Sequence, residues 1–253
     1  MGGSIESIVS IIKQQEALFQ RVHEWEDIAK KITYPLDHIT AFLERTNPRD
    51  HSLSVATRKL AKRCWFVAPH EFPAKDTLFF KYIAKQTGKV IDGQMANYVR
   101  KYADKIIERV ERDFPKRSHI IHSAYNAHKR GEYVLSIPVL LAQADGICHD
   151  IFSVNLYSRE RDGKNPKTKE KVTKLTPKSK SDRAALAPYT HLLPIHKSAH
   201  KYRRNRILNR NGILHGILLD YGTEVNSLQS ILLLESLREL RCFVTKAKRI
   251  KKI

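Results

Sequence analysis

Apolar residues recur every three or four positions along nearly the whole chain, and this restricts the fold more than any other feature. In SIESIVSIIKQQEALFQRVHEWEDIAKKI, Ile5, Val9, Ile12, Leu18, Val22, Trp25 and Ile28 fall at helical steps. A second amphipathic stretch runs from Met95 to about Arg112 and stops at Phe114-Pro115. From Arg117 to Phe152 the pattern predicts two helices joined at KRGEY, the second carrying Ile137, Leu140, Leu141, Ala144, Ile147, Cys148 and Ile151. A last helix follows DYGTE, with Val225, Leu228, Ile231, Leu232, Leu234 and Leu237 in its apolar stripe and a basic end. No run alternates with period two, and Asn211-Gly212 lies inside a helical pattern rather than between strands. The expected fold class is all-α.

Pro35, the TNPRD stretch, Pro69 and Pro73 break the early helices. The organisation changes around Pro115, so the expected division is an N-terminal helical region over 1–115 and a second domain over 116–253. Within the latter, SRERDGKNPKTKEKVTKLTPKSKSD (158–182) is dense in lysine with little to bury, which predicts a solvated, mobile loop. Helices resume from Arg183, and a turn is expected at HLLP. A chain of 253 residues has ample material for such a core.

Lys and Arg exceed Asp and Glu by 20. A surplus of that size points to a polyanionic partner, nucleic acid first and an anionic membrane surface second. Cys64, Cys148 and Cys242 are widely spaced, with no CxxC and no zinc spacing, as expected of free thiols in a reducing cytoplasm. The opening MGGSIESIVSIIKQQ has neither a basic n-region nor a long apolar run. YVLSIPVLLAQA is short and interrupted for a bilayer span. These features predict a soluble cytoplasmic protein without a membrane partner.

The stretch with the most chemistry is NRNGILHG, residues 209–216. If 206–219 is one helix, Asn211 and His215 share a face and the long Arg210 side chain reaches the same place. A guanidinium fork suits phosphate, an imidazole gives and takes protons near neutral pH, and an amide orients either one. Gly212 and Gly216 each cost a helix about 1 kcal/mol, which suggests that another backbone or a ligand comes close. Bare spacing decides nothing, because Arg45/His51, Arg63/His70, Arg112/His119 and Arg117/His122 match it too. Just upstream, HKSAHKYRRNR places Lys197, Lys201, Arg203, Arg204 and Arg206 as candidate RNA-binding cations.

NRNGILHG resembles the signature of the HEPN superfamily of all-helical ribonucleases: Arg, a polar residue, a short spacer and His at the start of a late helix. YNAHKRGEYVLSIPVLLAQADGICHDIF (125–152) looks like the helix pair that opens many such domains, with Gly131-Glu132 at the joint. HGILLDYGTEVNSLQSILLLESL resembles the closing helix. The resemblance covers 117–247 and implies a HEPN-like bundle of four to five helices. Its implied chemistry is metal-independent RNA cleavage, in which the ribose 2′-OH attacks the adjacent phosphate to leave 2′,3′-cyclic phosphate and 5′-OH ends. In that scheme His215 is the acid or base, Arg210 steadies transition-state charge, and Asn211 positions the phosphate or the imidazole. Asp145 holds Arg210 or His215; an Asp there departs from the more usual Glu. The family usually pairs two copies, so a homodimer is implied, with the glycines allowing close approach. Toxin and abortive-infection effectors abound in the family, which implies an antitoxin or another regulatory partner.

Other readings stay open beside this one. The domain could be a noncatalytic RNA-binding or dimerisation module with the same fold, and many HEPN-type domains are. Asp145 and His149 lie one turn apart and could chelate, but such pairs are common on helix faces; neither metal nor cofactor is expected. Trp25, Trp65 and Phe66 read as core, while Tyr189 and Tyr202 have some claim to base stacking through their nearness to the basic segment.

Overall fold

A computed structural model describes residues 52–69, 74–197 and 208–250 of the chain. The expected helix over 5–28, with its Trp25, lies outside the described residues. Nine α-helices are described: α1 (Ser52–Ala61), α2 (Ala74–Ile83), α3 (Gly88–Asp113), α4 (Ser118–Lys129), α5 (Tyr133–Phe152), α6 (Thr168–Thr173), α7 (Lys180–Leu186), α8 (Arg210–Leu214) and α9 (Glu224–Ile250). Three single 3-10 turns lie between them, at Pro115–Arg117, Ala187–Thr190 and Pro194–His196. Among the described residues the only β-type pairing is an isolated bridge between Arg159 and Pro166. The fold is all-α.

Helix α9 is the axis of the bundle. Leu228, Ile231, Leu232, Leu233, Leu234, Leu237 and Leu240 are fully buried, on every side of the helix rather than on one stripe. α3 and α5 pack along it, and α4 packs on α5. Burial on all sides also encloses polar groups, and most of them find partners. Gln229 Nε2 donates to the Arg63 carbonyl at 2.9 Å, and Ser227 Oγ lies 2.8 Å from His128 Nδ1. Glu235 accepts from Arg109 and Arg238, while Arg238 also reaches Asp113. Burial pushes the Glu235 carboxyl up, and the two guanidinium groups beside it oppose that.

α5 carries Pro138 in its second turn. Proline has no N–H to give to the carbonyl four residues back. The freed Val134 carbonyl accepts instead from Tyr221 Oη at 3.0 Å, which fastens the segment leading into α9 onto the start of α5. Gly222 fits there because a Cβ would stand 2.5 Å from Val134 Cγ1. By length and composition α5 could cross a membrane, unlike the shorter run quoted above. Here it is a core helix, with Ile137, Leu140, Leu141, Ala144 and Ile147 buried against its neighbours.

Two expectations change. The division at 115/116 meets a core that runs straight across it. Pro115 starts a 3-10 turn that feeds α4, and Val99, Ile106 and Val110 of α3 belong to the same cluster as Leu140 and Ile231. The described residues form one compact unit. The lysine-rich stretch 158–182 is also folded. Thr168 Oγ1 donates to the Tyr189 carbonyl at 2.8 Å, Val172 is buried, and Ser179 with Asp182 forms a capping box at the start of α7. Lysines dominate that stretch by count, but a few well-placed small and polar residues anchor it.

Candidate active site

The motif does not lie on one long helix. α8 spans five residues, Arg210–Leu214, and both its ends are built by local chemistry. At the front, Asn209 is the N-cap, and its Oδ1 accepts from Gly212 N at 2.7 Å. At the back, Gly216 takes φ +69°, Gly216 N donates to the Ile213 carbonyl, and Ile217 N donates to the Gly212 carbonyl at 2.8 Å. That paired pattern is a Schellman stop, and the left-handed residue it needs is best supplied by glycine. The chain then doubles back, laying Leu218 over Gly212, where a Cβ would stand 2.6 Å from the leucine side chain. The close approach expected at Gly212 is made by Leu218, whereas nothing lies within 4 Å of a Cβ at Gly216, whose need for glycine is its left-handed backbone.

Arg210, Asn211 and Asp145 come together. Asp145 sits on α5, with Oδ1 accepting from Leu156 N at 2.7 Å. Its Oδ2 stands 4.0 Å from Arg210 Nη2, at the outer edge of ion-pair distance. The Arg210 guanidinium lies over the Tyr157 ring, 5.4 Å from its centre, and Nη1 donates weakly to Asn211 Oδ1 at 3.3 Å. Arg210 Nε is buried without a hydrogen-bond partner among the described residues. A guanidinium carries five N–H donors, so this one is held in place with most of its donor capacity unspent. Side-chain exposures of 28% for Arg210 and 21% for Asp145 leave the pair reachable from solvent.

Tyr157 is the platform. It is buried, its Oη donates to the Leu141 carbonyl at 3.0 Å, and burial pushes its phenol well up, so it stays neutral beneath the cation. Nothing in the spacing of the sequence marks Tyr157, because the contact joins the segment after α5 to α8.

His215 is the C-cap of α8 and is exposed. Its backbone N–H donates to the Asn211 carbonyl at 3.1 Å, while its ring makes no hydrogen bond to a described residue. It shares one short segment with Arg210 and Asn211, but no described residue hydrogen-bonds its ring, and the helical face expected to align it with Asn211 ends one residue before it. Asp145 serves Arg210 and Leu156 and makes no hydrogen bond or ion pair with His215. His149 is exposed on α5.

Lys197 closes the 3-10 turn at Pro194–His196, and its carbonyl accepts from both Asn209 Nδ2 at 3.0 Å and Asn211 Nδ2 at 3.1 Å. Lys201, Tyr202, Arg203, Arg204 and Arg206 lie outside the described residues. Tyr189 is no stacking platform, being buried with its Oη on Ser236 Oγ at 2.7 Å; Trp65 and Phe66 lie in the core as expected.

The residues that sequence reasoning missed are Tyr157 and Asn209. An Asn before a helix is a capping signal and a Gly after it a stop signal. Both were present here, but reading 206–219 as one helix hides them. Comparison of the chain with protein families, curated proteins and solved structures finds no match.

Proposed function

We propose that this protein is a metal-independent RNA endonuclease whose reacting group is His215 and whose phosphate receptor is Arg210. The observation that carries the reading is the state of Arg210: seated on Tyr157 and braced by Asp145 at 4.0 Å, yet 28% exposed and, among the described residues, making only one long hydrogen bond, to Asn211. A phosphodiester oxygen pair satisfies a fork of that kind. The resemblance of NRNGILHG to HEPN ribonucleases supplies the reaction, and the surplus of 20 positive charges suits the substrate.

In the reaction the ribose 2′-oxygen attacks phosphorus as its proton passes to a base, and the bond to the 5′-oxygen breaks as that oxygen gains a proton. His215 performs one of these transfers. Arg210 balances the charge that accumulates on the non-bridging oxygens, and Asn211 keeps the guanidinium turned toward them. A second copy of the chain supplies the second imidazole. Exposed Leu214 and Leu219, the latter 84% exposed, flank His215 and offer apolar surface for that pairing. Such an enzyme acts in the cytoplasm as a toxin or antiphage effector and needs a restraining partner.

The test is purified protein in EDTA with an RNA oligonucleotide, beside the same oligonucleotide carrying one 2′-deoxy position. Cleavage everywhere except at the deoxy position, with cyclic phosphate ends, is the expected result. Cutting at the deoxy position contradicts the mechanism. RNA binding without cleavage, in EDTA or with magnesium restored, points to a noncatalytic RNA-binding module.

A further inference from the structure

We propose that Asn209 is the positioning residue of this site: one buried amide sets where Arg210 and Asn211 stand. The idea builds on the reading of Arg210 as the phosphate receptor, but the geometry that supports it is independent of what is cleaved.

Asn209 is fully buried, and its side chain uses both ends. The Oδ1 caps α8 through Gly212 N at 2.7 Å. The Nδ2 spends one proton on the Pro194 carbonyl at 2.9 Å and the other on the Lys197 carbonyl at 3.0 Å. An asparagine side chain offers two donors and one acceptor oxygen, and here all of them are engaged. The result is a clamp between α8 and the turn at Pro194–His196. Asn211 adds a second amide to the same Lys197 carbonyl, so one oxygen accepts from both asparagines that flank Arg210.

Why the clamp matters follows from the size of α8. Five residues cannot hold a helix by backbone bonds alone, since nucleation costs more than so short a run returns. Nor does apolar packing supply the anchor, because Ile213 is the helix's only buried large side chain. Orientation of α8 therefore rests on Asn209 in front and on the Gly216 stop behind. Only the front end is adjacent to Arg210. The hydrogen bonds of the Asn209 side chain go to Gly212, Pro194 and Lys197 rather than to Asp145 or Tyr157, so its influence on the phosphate runs through the backbone of its neighbour. The 3-10 turn is prepared to receive it, since buried His196 accepts from Leu193 N through Nδ1 at 3.0 Å and fixes the carbonyls of Pro194 and Lys197.

Asn209→Ser separates the two duties, since a hydroxyl still caps Gly212 N but cannot reach both carbonyls. In the full-length protein, the expected outcome is a melting temperature lowered by only a few degrees, with cleavage kcat down about tenfold or more and KM within about threefold. The shape of the pH–rate profile should not change. Proton exchange at Arg210 Nε, read by nitrogen-edited NMR, should quicken about tenfold as the guanidinium loses its fixed seat. An unchanged kcat or an unchanged Arg210 exchange rate in Asn209→Ser overturns the proposal. In the unaltered protein, the Asn209 side-chain amide protons should exchange far more slowly than those of exposed Asn97, and equal rates also overturn it. If the protein does not cleave RNA at all, the nuclease reading fails, while the exchange measurements still judge Asn209.

Discussion

Helix α9 holds its position by keeping seven leucine and isoleucine side chains out of water over four turns, whereas α8 holds its position with four side-chain amide bonds, a glycine stop and a folded-back leucine. The first means is spread over many atoms, each worth little, and tolerates variation at any one of them. The second concentrates placement in Asn209, Asn211, Gly212 and Gly216. Under the proposed function the difference separates stability from function: the bundle around α9 carries the folding, and the amide clamp sets where Arg210 points.

The sharpest way to break this contrast is to damage each part and ask which property suffers. Leu232→Ala in α9 should cost about 2–5 kcal/mol of stability through the cavity it leaves, while cleavage per folded molecule stays unchanged. Denaturant melts alongside single-turnover rates check both halves. A loss of rate without loss of stability at Leu232 would dissolve the distinction.

His196 gives the next largest effect. Burial pulls its pKa down from 6.5 to about 4, so the folded protein keeps it neutral while the unfolded chain takes up a proton near 6.5. Stability from this group is therefore full above pH 6.5 and is lost progressively as pH falls toward 4. The span corresponds to about 3 kcal/mol. His196→Asn offers an acceptor to Leu193 N without a titrating ring, and it should flatten that part of the stability–pH curve. A curve with the native slope would show that other groups carry the acid sensitivity.

Gly212→Ala should cost about 1–3 kcal/mol, because the added methyl meets Leu218. The combination of Gly212→Ala with Leu218→Ala should recover part of the loss, and strict additivity of the two would deny the contact. Smallest is Tyr221→Phe, which strands the Val134 carbonyl that Pro138 leaves free, at about 1 kcal/mol.

Which parts were legible in the sequence follows the same line. α3, α4, α5 and α9 are long and periodic, and the 3.6-residue signal finds their ends within a few residues, except that α3 begins at Gly88, seven residues before the expected Met95. The pairing of Asp145 with Arg210 came through the resemblance and is the contact the structure brings closest to the expected one. What failed to read was short or non-local. Pro115 looked like a boundary because proline ends helices, but a single turn later the chain re-enters the same core. Over 158–182 the lysine count concealed Thr168, Val172 and the Ser179–Asp182 cap, which fold the segment. Around the motif, Asn209 and Gly216 are ordinary start and stop signals, overridden by an apolar pattern that continued past both. Tyr157 under Arg210 depends on where α5 ends, at left-handed Ser153, and no local pattern contains it.

The central claim is that Arg210 and His215 do chemistry rather than hold the bundle together, and the direct test is cleavage of RNA in EDTA by the protein and by its Arg210→Ala and His215→Ala variants. His215 is exposed with its ring unengaged by described residues, so its loss should leave the melting temperature within a degree or two. The account expects wild-type cleavage with 2′,3′-cyclic phosphate ends, a fall of about 10²–10⁴ in His215→Ala, and a fall of about 10²–10³ in Arg210→Ala. Equal cleavage by all three folded proteins would contradict it and move the chemistry elsewhere in the molecule.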